Sequence, residues 1–182
     1  MGKALIIVDM LRDFIFPGGK LFFEKGKEAI PGCLRLRDAF DAAGLPVVYD
    51  NDAHPEDSAE FDSWPPHCLR GTDGARVIGE LAPRPGDLVL EKDSLSMFTI
   101  EGAAEILRGR GIDELVLCGV ATEYCVLHCA LDGVADGFAV TAAIDAIAGV
   151  DLAPGDAKRA IDKMRAAGVV MAEVSEIIGA LG

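Results

Sequence analysis

Cys125 stands at a junction between two kinds of chain. Before it, Leu115-Val116-Leu117-Cys118 is short, apolar and β-branched, which predicts a buried parallel strand. After it, residues 126–134 carry helical apolar spacing, so the thiol is expected in a helix's first turn. Free backbone N–H groups and the positive end of the helix dipole there favour thiolate over thiol. Two more reactive groups also close apolar runs: Asp9 follows Ala4-Leu5-Ile6-Ile7-Val8, and Lys92 follows Leu88-Val89-Leu90-Glu91. Ligands of open α/β sheets bind beyond the carboxyl ends of the strands, so Asp9, Lys92 and Cys125 are expected to meet at one edge. A carboxylate, an ammonium and a thiol in one cleft form an acyl-transfer set. The lysine favours the thiolate and the carboxylate handles the proton. Taken singly, Cys125 reads first as a packed thiol, and Asp9 with Lys92 as a plain salt bridge.

A second group of reactive residues follows the apolar run Pro46-Val47-Val48-Tyr49. Asp52 and His54 are two apart and project to the same side of an extended chain. With His67 they make an oxygen–nitrogen set that can cap one face of a divalent ion, leaving positions open for water or substrate. Of the three histidines in the chain, two fall in this stretch, although Asp-x-His pairs are common by chance. Glu60, Asp62 or Ser63 could supply a fourth ligand. His128 lies three residues after Cys125, but its mostly apolar helix predicts packing rather than catalysis. Phe14, Trp64, Phe98 and Tyr124 each neighbour a proposed site residue, where an aromatic serves core or pocket alike.

These residues need a scaffold. Short apolar runs at 4–8, 46–49, 88–91, 115–118, 138–141 and 169–171 predict six strands, and helical spacing covers 27–43, 102–109, 126–134 and 154–167. The alternation predicts an α/β fold: a single-domain, doubly wound, mostly parallel six-stranded sheet with helices on both faces, spanning residues 1–182. The longest unpatterned stretch, 50–74, carries the candidate metal ligands, and loops of that length are usually functional.

Composition narrows the classes. A net charge of −13 argues against nucleic-acid and anionic-membrane partners. The 51% hydrophobic content is broken into runs far shorter than a membrane span. Residues 1–3 lead straight into the first apolar run with no leader pattern. Five cysteines lack paired zinc spacing, and Cys33, Cys118 and Cys129 read as packed reduced thiols, pointing to the cytoplasm.

Three blocks together carry a resemblance. Leu5-Ile6-Ile7-Val8-Asp9-Met10 with Asp13-Phe14, Glu91-Lys92 with Ser94, Ser96 and Phe98, and Gly119-Val120-Ala121-Thr122-Glu123-Tyr124-Cys125-Val126 resemble the signatures of the isochorismatase-like cysteine hydrolases. The likeness covers residues 3–173 and points to the branch of nicotinamidases and N-carbamoylsarcosine amidases. It implies Cys125 as nucleophile, Asp9 as general base and acid, and Lys92 as thiolate stabiliser. It also implies a cis peptide between Val120 and Ala121, which turns the Ala121 N–H to form an oxyanion hole with that of Cys125. Trp64-Pro65-Pro66-His67-Cys68 followed by Gly71-Thr72 is similar to a nicotinamidase metal segment. Asp52, His54 and His67 are then ligands of a divalent metal: zinc first, with manganese or iron compatible. Ala53 stands between the ligands where many nicotinamidases carry an aromatic.

The implied substrate is a small amide, nicotinamide first, its ring held between Phe14 and Trp64 in a pocket with Phe98 and Tyr124. The implied assembly is a homo-oligomer. Alternatives are an N-carbamoylsarcosine amidase-like or ureidoacrylate amidase-like hydrolase, and an inactive binding protein on the same fold. Dinucleotide binding lacks its glycine fingerprint after the first strand, where Asp9-Met10-Leu11-Arg12 stands.

Overall fold

The computed structural model describes residues 2–181; Met1 and Gly182, the ends of the expected 1–182 domain, lie outside the described residues. Six strands, β1 (Gly2–Val8), β2 (Val47–Asp52), β3 (Leu88–Lys92), β4 (Ile112–Val120), β5 (Ala139–Ala148) and β6 (Val170–Ala172), form one sheet. Its order is β3-β2-β1-β4-β5-β6, and every pair is parallel rather than most of them. The helices are α1 (Arg12–Ile15), α2 (Ile30–Ala42), α3 (Ala103–Gly109), α4 (Leu127–Ala135), α5 (Asp156–Ala166) and α6 (Val174–Gly179).

The apolar runs are continuous because the inner strands are buried on both faces. On β1, Ala4, Ile6 and Val8 face one core layer with Leu107 of α3, Ala130 of α4 and Met164 of α5. Leu5 and Ile7 face the other, with Leu36 and Phe40 of α2 and Ile177 of α6. Each of these side chains larger than alanine contributes about 1.5–3 kcal/mol by leaving water. The winding direction reverses between β1 and β4, which opens a crevice at their carboxyl ends. Gly119 lets β4 turn into it: its φ is 114°, and a Cβ there would sit 2.0 Å from the Val8 carbonyl oxygen.

Several boundaries differ from expectation for local reasons. The helix expected over 27–43 begins at Ile30, with Pro31 in its first turn, where a missing N–H costs nothing; Glu24–Ala29 winds as a 3₁₀ turn. The strand expected over 138–141 runs to Ala148, through an alanine-rich segment of weak β-propensity. Close packing overrides that propensity, because a Cβ on Gly32 of α2 would lie 2.5 Å from the Ala146 Cβ. The unanticipated α6 is too short to show a period and is held by a Glu173–Glu176 capping box. His128 is exposed on α4 rather than packed.

Candidate active site

Asp9 leaves β1 in a left-handed conformation, φ 48°, and is 1% exposed. Its Oδ1 accepts the Asp52 N–H at 2.7 Å and its Oδ2 accepts from the Lys92 ammonium at 2.8 Å. Strand register brings the lysine there, since Lys92 of β3 pairs with Asp52 of β2. Lys92 also donates to Asp52 Oδ1, and Asp50 Oδ1 lies 3.6 Å from its Nζ. Three buried carboxylates therefore surround one buried ammonium. Burial and then Asp52 push the Asp9 carboxyl up to about 7, against the pull of Lys92. Burial likewise raises Asp50 to about 6. For Asp52 burial acts upward but is outweighed by Lys92 and by the neighbouring His54 and His67 imidazoles, which hold it well below the carboxylate range. Burial would lower the Lys92 pKa, yet Asp50, Asp52 and Asp9 raise it overall.

Cys125 sits in a π-helical turn, Thr122–Val126, just before α4, not in the α-helix itself. Within the turn the Ala121 carbonyl accepts from the Tyr124 and Val126 N–H groups, passing over that of Cys125. The Val120–Ala121 peptide is cis. Candidate ligand atoms of Cys125, Asp9 and Asp52 lie within 4.8 Å of one another. Burial pushes the thiol well up; Lys92 acts downward as expected, but Asp9 and Asp52 oppose it. Burial and the two carboxylates thus oppose the thiolate that the helix start and Lys92 favour, and Asp9 is the neighbour that can take the thiol proton.

The second cluster abuts the first through Asp52. Ligand atoms of Asp52, His54 and His67 also lie within 4.8 Å of one another, and all three residues are buried. Nε2 of His54 and of His67 stand 3.5 and 3.8 Å from Asp52 Oδ2. The other ring nitrogens are committed. His67 Nδ1 donates to the Pro65 carbonyl at 2.9 Å, and His54 Nδ1 donates to Asp93 Oδ1 at 2.6 Å. Both rings thereby turn an Nε2 lone pair inward, and buried His54 Nε2 has no hydrogen-bond partner. An orphaned imidazole nitrogen beside a second imidazole and a carboxylate is a donor set suited to zinc, manganese or iron. Burial opposes charge on His54, but Asp52 and Asp93 raise its pKa overall.

Both clusters open into one apolar cavity of about 270 Å³. Phe14, Trp64 and Tyr124 line it, with Leu21, Phe22 and Val150. Trp64 meets Tyr124 edge-on at 5.2 Å, and Phe14 leans on His67 at 5.7 Å. Phe98 does not join them. The Ser96 hydroxyl caps its N–H, and its ring turns into the core against Phe138 at 5.6 Å. Of the three candidate fourth ligands, Glu60 lines the cavity, whereas Asp62 and Ser63 are exposed.

Three polar residues escaped the sequence reading, and a fourth, Asp13, figured there only as part of the first signature block. Asp50 lies inside β2, Ser58 and Asp93 flank His54, and Asp13 is buried with its carboxylate on the N–H groups of Cys68 and Lys20. Asp93 directly follows Lys92, yet nothing local in the sequence marks it as the partner of His54.

The isochorismatase domain family matches residues 3–176. The chain belongs to this family. An Escherichia coli nicotinamidase is 30% identical over 93% of both chains. Among solved structures, the pyrazinamidase of Pyrococcus horikoshii in complex with zinc is 35% identical, with a TM-score of 0.87 over 95% of this chain and 99% of that one. An N-carbamoylsarcosine amidase from Thermoplasma acidophilum is 34% identical, with a TM-score of 0.86 over 96% and 97%. At those TM-scores the two solved structures share the fold of this isochorismatase-family chain.

Proposed function

We propose that the protein is a cysteine amidohydrolase that converts nicotinamide to nicotinate and ammonia. One observation carries the reading: Asp52 belongs at once to the Cys125–Asp9 cluster and to the His54–His67 cluster, so a nucleophile and a metal-type donor set share one cavity. Asp52, His54 and His67 would hold a divalent ion, which supplies a Lewis-acid contact for the substrate's ring nitrogen or for water.

The chain's own residues account for the covalent steps. Asp9 takes the thiol proton, and Cys125 Sγ forms a bond to the amide carbon as the carbonyl π electrons move to oxygen. The N–H groups of Ala121 and Cys125 receive that oxyanion. As it collapses, the C–N bond breaks, Asp9 returns its proton to nitrogen, and ammonia departs. Asp9 next takes a proton from water, whose oxygen attacks the thioester; the C–S bond breaks, and Asp9 passes that proton to the departing thiolate, restoring the thiol. Lys92 holds Asp9 in place and offsets negative charge throughout. The aromatic walls at Phe14 and Trp64 suit a flat ring.

A second reading, hydrolysis of an N-carbamoyl acid, draws on Lys20, a cationic residue of the cavity wall that could pair with a substrate carboxylate. The deciding experiment is ammonia release from nicotinamide, pyrazinamide, N-carbamoylsarcosine and ureidoacrylate, with zinc added or chelated. Zinc-dependent turnover of nicotinamide supports the first reading. Turnover confined to the carboxylate-bearing amides replaces it with the second.

A further inference from the structure

We propose that Asp93 is a positioning residue for the metal site: it orients His54, fixes its tautomer and so sets the affinity for the ion. The inference rests on Asp52, His54 and His67 being the ligands. Three observations lead to it. The pairing of β2 with β3 runs one residue past β2, because the Ala53 N–H donates to the Lys92 carbonyl at 2.9 Å. That register sets Asp93 alongside His54, with Oδ1 2.6 Å from Nδ1. The same oxygen accepts from the Ser58 hydroxyl at 2.5 Å, and Ser58 is itself buried. Asp93 is thus pinned from a second side rather than free to swing into solvent.

A carboxylate can only accept, so the Nδ1 proton is fixed on the outer side of the ring and the lone pair must sit on Nε2, the atom left without a partner. The ring cannot flip without losing the bond to Asp93. A carboxylate behind a ligating imidazole also makes the inner nitrogen a better donor, and removing such a partner typically weakens metal binding about 10–100-fold. His67 is held differently, by the neutral Pro65 carbonyl. Of the two imidazoles, His54 is therefore the stronger donor, and the difference traces to the residue that follows Lys92.

The test is zinc affinity of the metal-stripped full chain, measured by competition with a chromogenic chelator, for wild type, Asp93→Asn and Asp93→Ala. Asparagine can still accept from Nδ1 but has lost the charge. The expected order is therefore wild type tightest, Asp93→Asn intermediate, and Asp93→Ala weaker than wild type by about 10–100-fold. Metal-free melting temperature and the rate of Cys125 alkylation should stay close to wild type in Asp93→Asn, because neither depends on the ion. Zinc affinity in Asp93→Ala within about threefold of wild type overturns the proposal. So does a loss of affinity matched by a collapse of the metal-free fold in both variants, which would make Asp93 a loop pin. A wild-type chain that binds no zinc, manganese or iron overturns the metal assignment itself and the role of Asp93 with it.

Discussion

Lys92 neutralises one of three neighbouring carboxylates, and the remaining imbalance decides how the thiol is activated. In this buried cluster the thiol pKa is pushed well up and that of the Asp9 carboxyl up to about 7. Such a carboxyl is protonated below that value and can accept the thiol proton only above it. kcat/KM for amide hydrolysis is therefore expected to rise with pH through about 7 and then level, with the limb abolished in Asp9→Asn. A limb at the ordinary carboxylate value would contradict the burial argument. Cys125→Ser should lower kcat at least about a thousandfold, since the hydroxyl is far harder to ionise beside Asp9. Zinc content should remain unchanged, which ammonia release and metal analysis of the same sample would check together.

Elements bring these residues together by register and by a few buried polar bonds. Asp13 follows the first strand turn, and its carboxylate ties the N–H of Cys68, next to His67, to the N–H of Lys20 on the cavity wall. Asp13→Ala orphans both donors and should cost about 1–3 kcal/mol for each that stays buried. Chemical denaturation would measure the loss, and a change under 0.5 kcal/mol, the usual range for featureless surface sites, would mean that water replaces the carboxylate. The meeting of Asp9, Lys92 and Cys125 was legible in the sequence because Asp9 and Lys92 close apolar runs and Cys125 stands at a strand-to-helix junction, and strand ends of a parallel sheet converge. Asp50 was not, since a carboxylate inside a strand carries no mark of which face it occupies or what cation it meets. Asp93 was hidden for a related reason: nothing local shows that β2 and β3 pair one residue further and place it behind His54. The length of β5 was masked by alanines, whose place in a strand is set by the approach of α2 rather than by their own preference.

At the scale of the whole molecule, the metal is expected to contribute to folding as well as to binding. Ion held at about 100 times its dissociation constant stabilises the native state by about 2.7 kcal/mol, provided that the unfolded chain does not bind it. Chelation should therefore lower the melting temperature and raise KM for nicotinamide, while leaving hydrolysis of an amide that lacks a ring donor largely unaffected. Equal KM values with and without chelator would detach the ion from substrate binding. Among the described residues no helix is long and apolar enough to cross a membrane. The acidic surface implied by a net charge of −13 suits approach of neutral or cationic small molecules better than polyanions.

The position of Asp52 gives the two halves of the site unequal freedom. Its Oδ1 faces Lys92 and its Oδ2 faces the imidazoles, so one side chain serves two circuits. His54 and His67 touch only the outer circuit and form a removable module. Their joint replacement by alanine should abolish zinc binding yet leave Cys125 open to alkylation at close to the wild-type rate. Asp52 is the splice between circuits, and Asp52→Ala should change both readouts at once. Under the proposed reading, the imidazoles belong to the substrate-anchoring half of the site and Cys125 to the hydrolytic half, with one carboxylate joining them.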